Sequence, residues 1–170
     1  MGLVTDSYRN LSLPRKAGVV KRFYVSSSFS NIINVRYVAQ TLECKSCINT
    51  YDWTQNTSAG DTGPVTLADL RSIGLHEKDA VLSADVVVIL LPGGKSTHVE
   101  LGIAIAQGKR VILHSPNGVI NNIETTSTFY HLPELEKCYG SLDDLVNMIV
   151  DADATVPPSD SICTAARDDV

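Results

Sequence analysis

Short apolar runs typical of buried strands alternate along this chain with apolar residues at helical spacing. The clearest stretch covers residues 84–115. Residues 85–91 read Asp-Val-Val-Val-Ile-Leu-Leu, which is typical of a strand buried on both faces of a parallel sheet. Gly93 and Gly94 end this run, a helix is predicted from Thr97, and residues 111–113 predict the next strand. We therefore predict one βαβ unit with a right-handed crossover.

The rest of the chain continues this alternation. Residues 22–26 predict a first strand and residues 48–53 a second, with a helix between them whose apolar residues recur every three or four positions. A longer helix is predicted from Thr66, which forms a capping-box pattern with Asp69, to about residue 83. Its inner face is predicted from four apolar residues, Leu67, Leu70, Ile73 and Val81.

The ends of the chain are less regular. A short strand is predicted near Phe129, and a last amphipathic helix follows from residue 142. Residues 1–20 predict an N-terminal tail or covering segment, and residues 152–170 a disordered C-terminal tail. Between them, residues 21–151 predict one α/β domain, a doubly wound sheet of about five parallel strands with helices on both faces.

The composition narrows the possible function classes. The chain has 170 residues, of which 44% are hydrophobic, and this suits one domain with a full core. Its net charge of −5 predicts no basic surface for nucleic acid or an anionic membrane. The apolar runs are too short to span a bilayer, and the first residues show no signal-peptide pattern. Because the four cysteines form no disulfide framework, we expect a reduced, cytoplasmic location.

Glu100 is the main candidate for chemistry. It is predicted in the first turn of the helix after the central strand, at the sheet edge where open α/β folds bind ligands. One interpretation is structural, because Thr97 and Glu100 have the spacing of a capping box. The other is a carboxylate nucleophile that attacks an anomeric carbon. The two are compatible if the cap holds the acid in its productive rotamer.

Other polar side chains are predicted near Glu100, each with a structural alternative. Ser26, Ser27 and Ser28 lie at the end of the first strand and are candidates to bind a sugar or phosphate, or to form a turn. Trp53 closes the second strand and would stack on a base or pack in the core. Glu77 and Asp79 lie on the helix before the central strand and face either solvent or the cleft. The loop before the Glu100 helix, which lacks Walker A spacing, adds Gly93, Gly94, Lys95, Ser96 and Thr97.

Three segments resemble the nucleoside 2-deoxyribosyltransferase family, which includes deoxynucleoside 5′-monophosphate N-glycosidases. They are residues 23–28 (Phe-Tyr-Val-Ser-Ser-Ser), residues 85–88 and residues 93–109. The resemblance is most specific at Glu-Leu-Gly-x-Ala-x-Ala-x-Gly-Lys, which begins at Glu100. It implies a flavodoxin-like fold, no metal and no cofactor. It also implies a homodimer or higher homo-oligomer in which a neighbour completes each site.

The resemblance further implies that Glu100 attacks C1′ of a 2′-deoxynucleoside, with Tyr24 supporting it and Ser28 at a phosphate-binding position. The family's acid beside the base corresponds to Glu77, or to Asp79 with a gap. Its polar residue six positions before the nucleophile is Gly94 here. We therefore expect a nucleoside deoxyribosyltransferase that acts on a small nucleoside or nucleotide. Hydrolysis of (deoxy)nucleoside 5′-monophosphates, cleavage of a dinucleotide such as NAD, and nucleotide sensing without turnover are the alternatives.

Overall fold

The computed structural model describes residues 21–59 and 66–151, so both predicted tails lie outside the described residues. Within this part of the chain, five strands form one parallel sheet in the order β2-β1-β3-β4-β5. The strands are β1 (Arg22–Ser26), β2 (Ile48–Asn49), β3 (Val86–Leu90), β4 (Arg110–His114) and β5 (Leu135–Cys138). The helices are α1 (Ile32–Cys44), α2 (Leu67–Ser83), α3 (Lys95–Ala106) and α4 (Leu142–Asp151).

This architecture confirms the predicted α/β fold. The strand order is that of flavodoxin-like sheets. Helix α1 packs against α4, and α2 packs against α3, so helices cover both faces of the sheet. No helix of the described residues is long and apolar enough to cross a bilayer.

The central strand β3 is formed by the aliphatic run that the sequence analysis singled out. All five of its residues are buried, because strands flank it on both edges and helices cover both faces. Its register pairs Val87 with Tyr24 of β1 and with Val111 of β4. These pairings place the carboxyl ends of β1 and β3 side by side.

Two strand predictions are wrong. Strand β2 ends at Asn49, and Trp53–Ala59 forms a 3₁₀ helix instead of continuing the strand. The strand predicted near Phe129 is also a 3₁₀ helix, Thr128–His131. The fifth strand, β5, comes after this 3₁₀ helix. Its two middle residues are the charged Glu136 and Lys137, so the sequence lacks the apolar run by which the strand could have been predicted.

Helix α2 has the predicted start, but of its predicted inner face only Val81 is buried. Thr66 Oγ1 accepts a hydrogen bond from the Asp69 amide at 3.1 Å, and the Asp69 carboxylate accepts one from the Thr66 amide at 2.9 Å. Leu67 and Leu70, however, are 85% and 54% exposed, and the buried residues of α2 are Ala80 and Val81. The reason is length, since 17 helical residues span about 25 Å and a five-residue strand about 16 Å. The first half of α2 therefore extends past the carboxyl ends of the strands.

This orientation of α2 is testable by unfolding measurements. Replacing Val81 with Ala removes buried methyl groups, and we expect it to lower the free energy of unfolding by about 2 kcal/mol. Replacing the exposed Leu67 with Gln should change that free energy by no more than about 0.5 kcal/mol. Urea unfolding of both variants checks the prediction. A larger loss for Leu67→Gln than for Val81→Ala would contradict the packing described above.

Candidate active site

A cavity of about 330 Å³ lies at the carboxyl ends of β1 and β3, beside the N-terminus of α3. All but three of the residues that the sequence analysis proposed for the site line it, and Phe29 is added to them. The lining residues are Tyr24, Ser27, Ser28, Phe29, Trp53, Glu77, Gly94, Lys95, Ser96, Thr97 and Glu100. Ser26, Gly93 and Asp79 are the three candidates that do not line the cavity.

Helix α3 begins earlier than predicted. Its first residue is Lys95 and its N-cap is Gly94, whose amide donates a hydrogen bond to Thr97 Oγ1 at 3.0 Å. Thr97 therefore caps the helix from its third position, and the predicted capping box with Glu100 is wrong. Glu100 is the sixth helical residue and lies in the second turn, so its carboxylate is available for other contacts.

Gly93 has a packing role beside this helix start. A Cβ atom at Gly93 would lie 2.9 Å from Thr97 Cγ2, closer than real side chains approach. Thr97 is itself 1% exposed and fixed by its bond to the Gly94 amide. A side chain at Gly93 would therefore displace the first turn of α3, which makes this glycine part of the support of the site.

The Glu100 carboxylate is held from the sheet by two hydroxyl groups. Tyr24 donates its phenolic hydrogen to Glu100 Oε1 at 2.9 Å, and Ser26 donates its hydroxyl hydrogen to Glu100 Oε2. Tyr24 and Ser26 lie two residues apart on β1, so their side chains point to the same face. The sequence pattern predicted Ser26 as a contact for a sugar or phosphate and not as a partner of Glu100, although its alternation with Tyr24 was a usable signal.

Burial and hydrogen bonding act in opposite directions on these groups. Burial raises the pKa of Glu100, which is only 5% exposed, while the hydrogen bonds from Ser26 and Tyr24 work to lower it. Burial and the negative charge of Glu100 raise the pKa of Tyr24 well above its usual range. The phenol therefore keeps its proton and remains a hydrogen-bond donor to Glu100.

A second carboxyl group, that of Glu77, lines the same cavity from α2. Burial, together with repulsion from Glu100, raises the pKa of Glu77 to about 7. Glu77 can therefore hold or release a proton near neutral pH. Asp79 does not share this environment, because two helical positions do not face the same way. Its side chain is exposed and lies 3.6 Å from Lys78.

Two aromatic rings form one wall of the cavity. Trp53 is buried, and its indole Nε1 donates a hydrogen bond to the Val25 carbonyl at 2.8 Å. Phe29, which is 64% exposed, meets Trp53 edge to face with ring centroids 5.2 Å apart. Trp53 is therefore packed in the core and also lines the cavity, and its stacking on a base stays a prediction.

The serines at the end of β1 differ in what their hydroxyl groups bind. Ser27 donates to the Leu90 carbonyl at 2.8 Å and accepts from Asn31 at 3.0 Å, so its hydroxyl ties the chain after β1 to β3. Within the described part of the chain, the Ser28 hydroxyl shares a hydrogen bond only with the exposed hydroxyl of Ser30, at 2.7 Å. Ser28 is therefore the more available of the two for a ligand.

The cavity has a polar end and an apolar end. Lys95, the first residue of α3, lies with Ser28 at the polar end, where free amides of the helix also favour an anion. Toward α2 the cavity adjoins a groove of about 460 Å³. The groove shares Phe29, Trp53, Glu77 and Ser96 with the cavity and adds Asn56, Leu70, Ile73 and Gly74. The described residues contain no cluster of His, Cys, Asp or Glu that could hold a metal ion.

Comparison with family models and with curated proteins gives no match for this sequence. Among solved structures, a conserved protein of Enterococcus faecalis is 18% identical with a TM-score of 0.55, over 76% of this chain and 97% of that one. A CMP N-glycosidase of Clostridium botulinum, BcmB, is 16% identical with a TM-score of 0.47, over 75% of this chain and 96% of that one. At such identities the similarity to the Enterococcus protein shows a shared fold, and any argument about activity rests on the site itself.

Proposed function

We propose that this protein cleaves the N-glycosidic bond of a nucleoside through a covalent glycosyl ester on Glu100 and transfers the sugar to a second nucleobase. The observation that carries this proposal is the arrangement of Glu100, buried at the floor of a cavity and held by Tyr24 and Ser26. A fixed, dehydrated carboxylate suits attack on an anomeric carbon. The resemblance of residues 93–109 to the deoxyribosyltransferase family supports the same assignment.

The first step forms the glycosyl ester. An oxygen of Glu100 attacks C1′ of the sugar while the C1′–N bond breaks and its electron pair goes to the base. Positive charge develops on the sugar, and the carboxylate stabilises it. Glu77 in its protonated form supplies the proton that the departing base takes up, a role that its pKa of about 7 permits.

The second step releases the sugar. A nitrogen of the incoming base attacks C1′, the bond between C1′ and the Glu100 oxygen breaks, and its electron pair returns to the carboxylate. Glu77, now ionised, accepts the proton that the incoming nitrogen loses. If water reaches the ester instead, the same steps give hydrolysis.

The two ends of the cavity suggest how a substrate lies. We place the base at the apolar end, against Trp53 and Phe29 and near Glu77, and the 5′ position of the sugar at the polar end. Hydrolysis of a nucleoside 5′-monophosphate is the second candidate function. It is favoured by the Lys95 ammonium group and the start of α3 at that polar end, which suit a phosphate.

The role of Glu100 is tested by replacing it with Gln, which keeps the size of the side chain and whose amide oxygen still accepts one of the two hydrogen bonds. We expect base release from the best substrate to fall at least about 10³-fold, because the amide cannot form the ester. Each variant is incubated with deoxynucleosides, with their 5′-monophosphates and with NAD, in the presence and in the absence of a free acceptor base. Chromatography then measures the released base. The exposed Glu124, replaced with Gln, is the control.

Four results of this panel have distinct meanings. Release that requires an acceptor base supports transfer, and release in its absence selects hydrolysis. Equal activity of Glu100→Gln and Glu124→Gln would refute the nucleophilic role. Ligand-induced stabilisation without turnover of any substrate would refute the enzymatic proposal in favour of a sensing module.

The role of Glu77 predicts a specific pH dependence. Since its protonated form is the active one, kcat/KM should fall about tenfold per pH unit above pH 7 for ordinary nucleosides. Glu77→Gln should remove this limb and reduce activity at pH 6 about 10²-fold. It should have little effect on 7-methyl-2′-deoxyguanosine, whose cationic base departs as a neutral molecule without a proton. Asp79→Asn is the matched control, and an equal effect of Glu77→Gln on both substrates would contradict general acid catalysis.

The second candidate function predicts a selective role for Lys95. Replacing Lys95 with Gln should raise KM for 5′-monophosphates about tenfold or more and leave KM for nucleosides nearly unchanged, because a charge-assisted hydrogen bond to phosphate is lost. Lys45→Gln, on the exposed end of α1, is the control. Equal KM changes for phosphorylated and unphosphorylated substrates would exclude Lys95 as a phosphate ligand.

A further inference from the structure

Ser26 occupies an unusual position for a buried serine. Its side chain is 0% exposed, and its hydroxyl donates to Glu100 Oε2 across 74 residues of sequence. Tyr24 engages the other carboxylate oxygen, so both oxygens of Glu100 receive a hydrogen bond from β1. The next residue, Ser27, uses its hydroxyl to bind a backbone carbonyl instead. Contact with the carboxylate is therefore specific to Ser26 and is not shared by the neighbouring serine at this edge of the sheet.

The backbone fixes where the Ser26 hydroxyl lies. Strand β1 is flanked by β2 and β3, and Ser26 pairs with Ile89 in the parallel register with β3. The short serine side chain has few rotamers, so its oxygen follows this backbone closely. Glu100 approaches from α3, whose first turn is set by the Gly94 amide and Thr97. The donor and the acceptor are thus held by separate rigid elements.

We infer that Ser26 is a positioning residue that makes the Glu100 carboxylate a good leaving group, so that the glycosyl ester breaks down instead of accumulating. This inference rests on the proposed function, because it concerns the second step of that reaction. When the bond between C1′ and the Glu100 oxygen breaks, its electron pair returns to the carboxylate. The Ser26 hydroxyl, already directed at that group, stabilises the developing negative charge.

The same hydrogen bond has the opposite effect on the first step. A carboxylate that accepts two hydrogen bonds is a weaker base and hence a less reactive nucleophile. Burial of Glu100 has the opposite effect on its basicity, because it disfavours the ionised form and so raises the pKa. Without the Ser26 hydroxyl, only the hydrogen bond from Tyr24 opposes the rise in the pKa of Glu100 that burial causes. Glu100 then becomes more basic, the ester more stable, and the second step slower relative to the first.

The test uses Ser26→Ala in the full chain, with Ser115→Ala as the matched control. Ser115 is also a fully buried serine, directly after β4, but its hydroxyl has no hydrogen-bond partner among the residues that the structure describes. The first readout is the fraction of enzyme that carries sugar after an acid quench during turnover, measured by intact-mass spectrometry. We expect at least a fivefold increase for Ser26→Ala, with a burst of about one equivalent of released base. Ser115→Ala should match the wild type.

The second readout does not depend on turnover. Protein labelled with ¹³C-glutamate gives a carboxyl resonance for Glu100, assigned by its loss in Glu100→Gln, and its titration reports the pKa directly. Ser26→Ala should raise the pKa of Glu100 above its wild-type value, and Ser115→Ala should not. Thermal unfolding of both variants checks that the fold is retained.

The outcomes separate this inference from the function on which it rests. If base is released but Ser26→Ala matches Ser115→Ala in adduct fraction and in the pKa of Glu100, the inference is wrong and the proposed function stands. If no variant, including the wild type, releases base or carries sugar, the proposed function is wrong and the leaving-group role falls with it. An increased adduct together with a raised pKa supports both.

Discussion

The arrangement of this site depends on one buried carboxylate and the two hydroxyl groups that bind it. A carboxylate removed from water is costly unless hydrogen bonds replace its hydration. Tyr24 and Ser26 supply those bonds from the strand below Glu100. Glu100 can reach these hydroxyl groups only if α3 begins at the right distance from β1. The turn containing Gly93 and Gly94 sets that distance, because it holds the first turn of α3 through Thr97. The sheet, the turn and the helix thus converge on the position of one side chain.

The topology explains why this carboxylate faces a cavity. In the order β2-β1-β3-β4-β5 the second strand is added on one side of β1 and the third on the other, and such switch points leave a crevice at the carboxyl ends of the strands. Helix α2 extends past those ends because it is longer than the strand that follows it. The extension brings Glu77 and the apolar groove to the crevice. A single architectural feature thus places both a second carboxyl group and an apolar surface beside Glu100.

Features that depend on local pattern were predictable from the sequence. Strand β3 and the buried residues of α1 follow from periodicity, and the α/β class follows from their alternation. Features that depend on distant contacts were not. The start of α3 was misplaced because a threonine can cap a helix either as the residue before it or, as Thr97 does, from its third position. The inner face of α2 was mispredicted because the extension of this helix past the strands is a property of the whole fold. The contact between Ser26 and Glu100 was not predicted because the two residues lie far apart in sequence. The roles of Glu100 and Tyr24 in catalysis stay predictions.

The covalent ester on Glu100 is the central claim, and direct trapping tests it best. A 2′-deoxy-2′-fluoroarabinosyl nucleoside forms such an ester slowly, because fluorine destabilises the positively charged transition state, and hydrolyses even more slowly. After incubation, denaturation and proteolysis, tandem mass spectrometry locates the sugar on a peptide. We expect one sugar per chain, attached to Glu100. Base release from this substrate with no sugar on the protein, or with the sugar on another residue, would contradict the account.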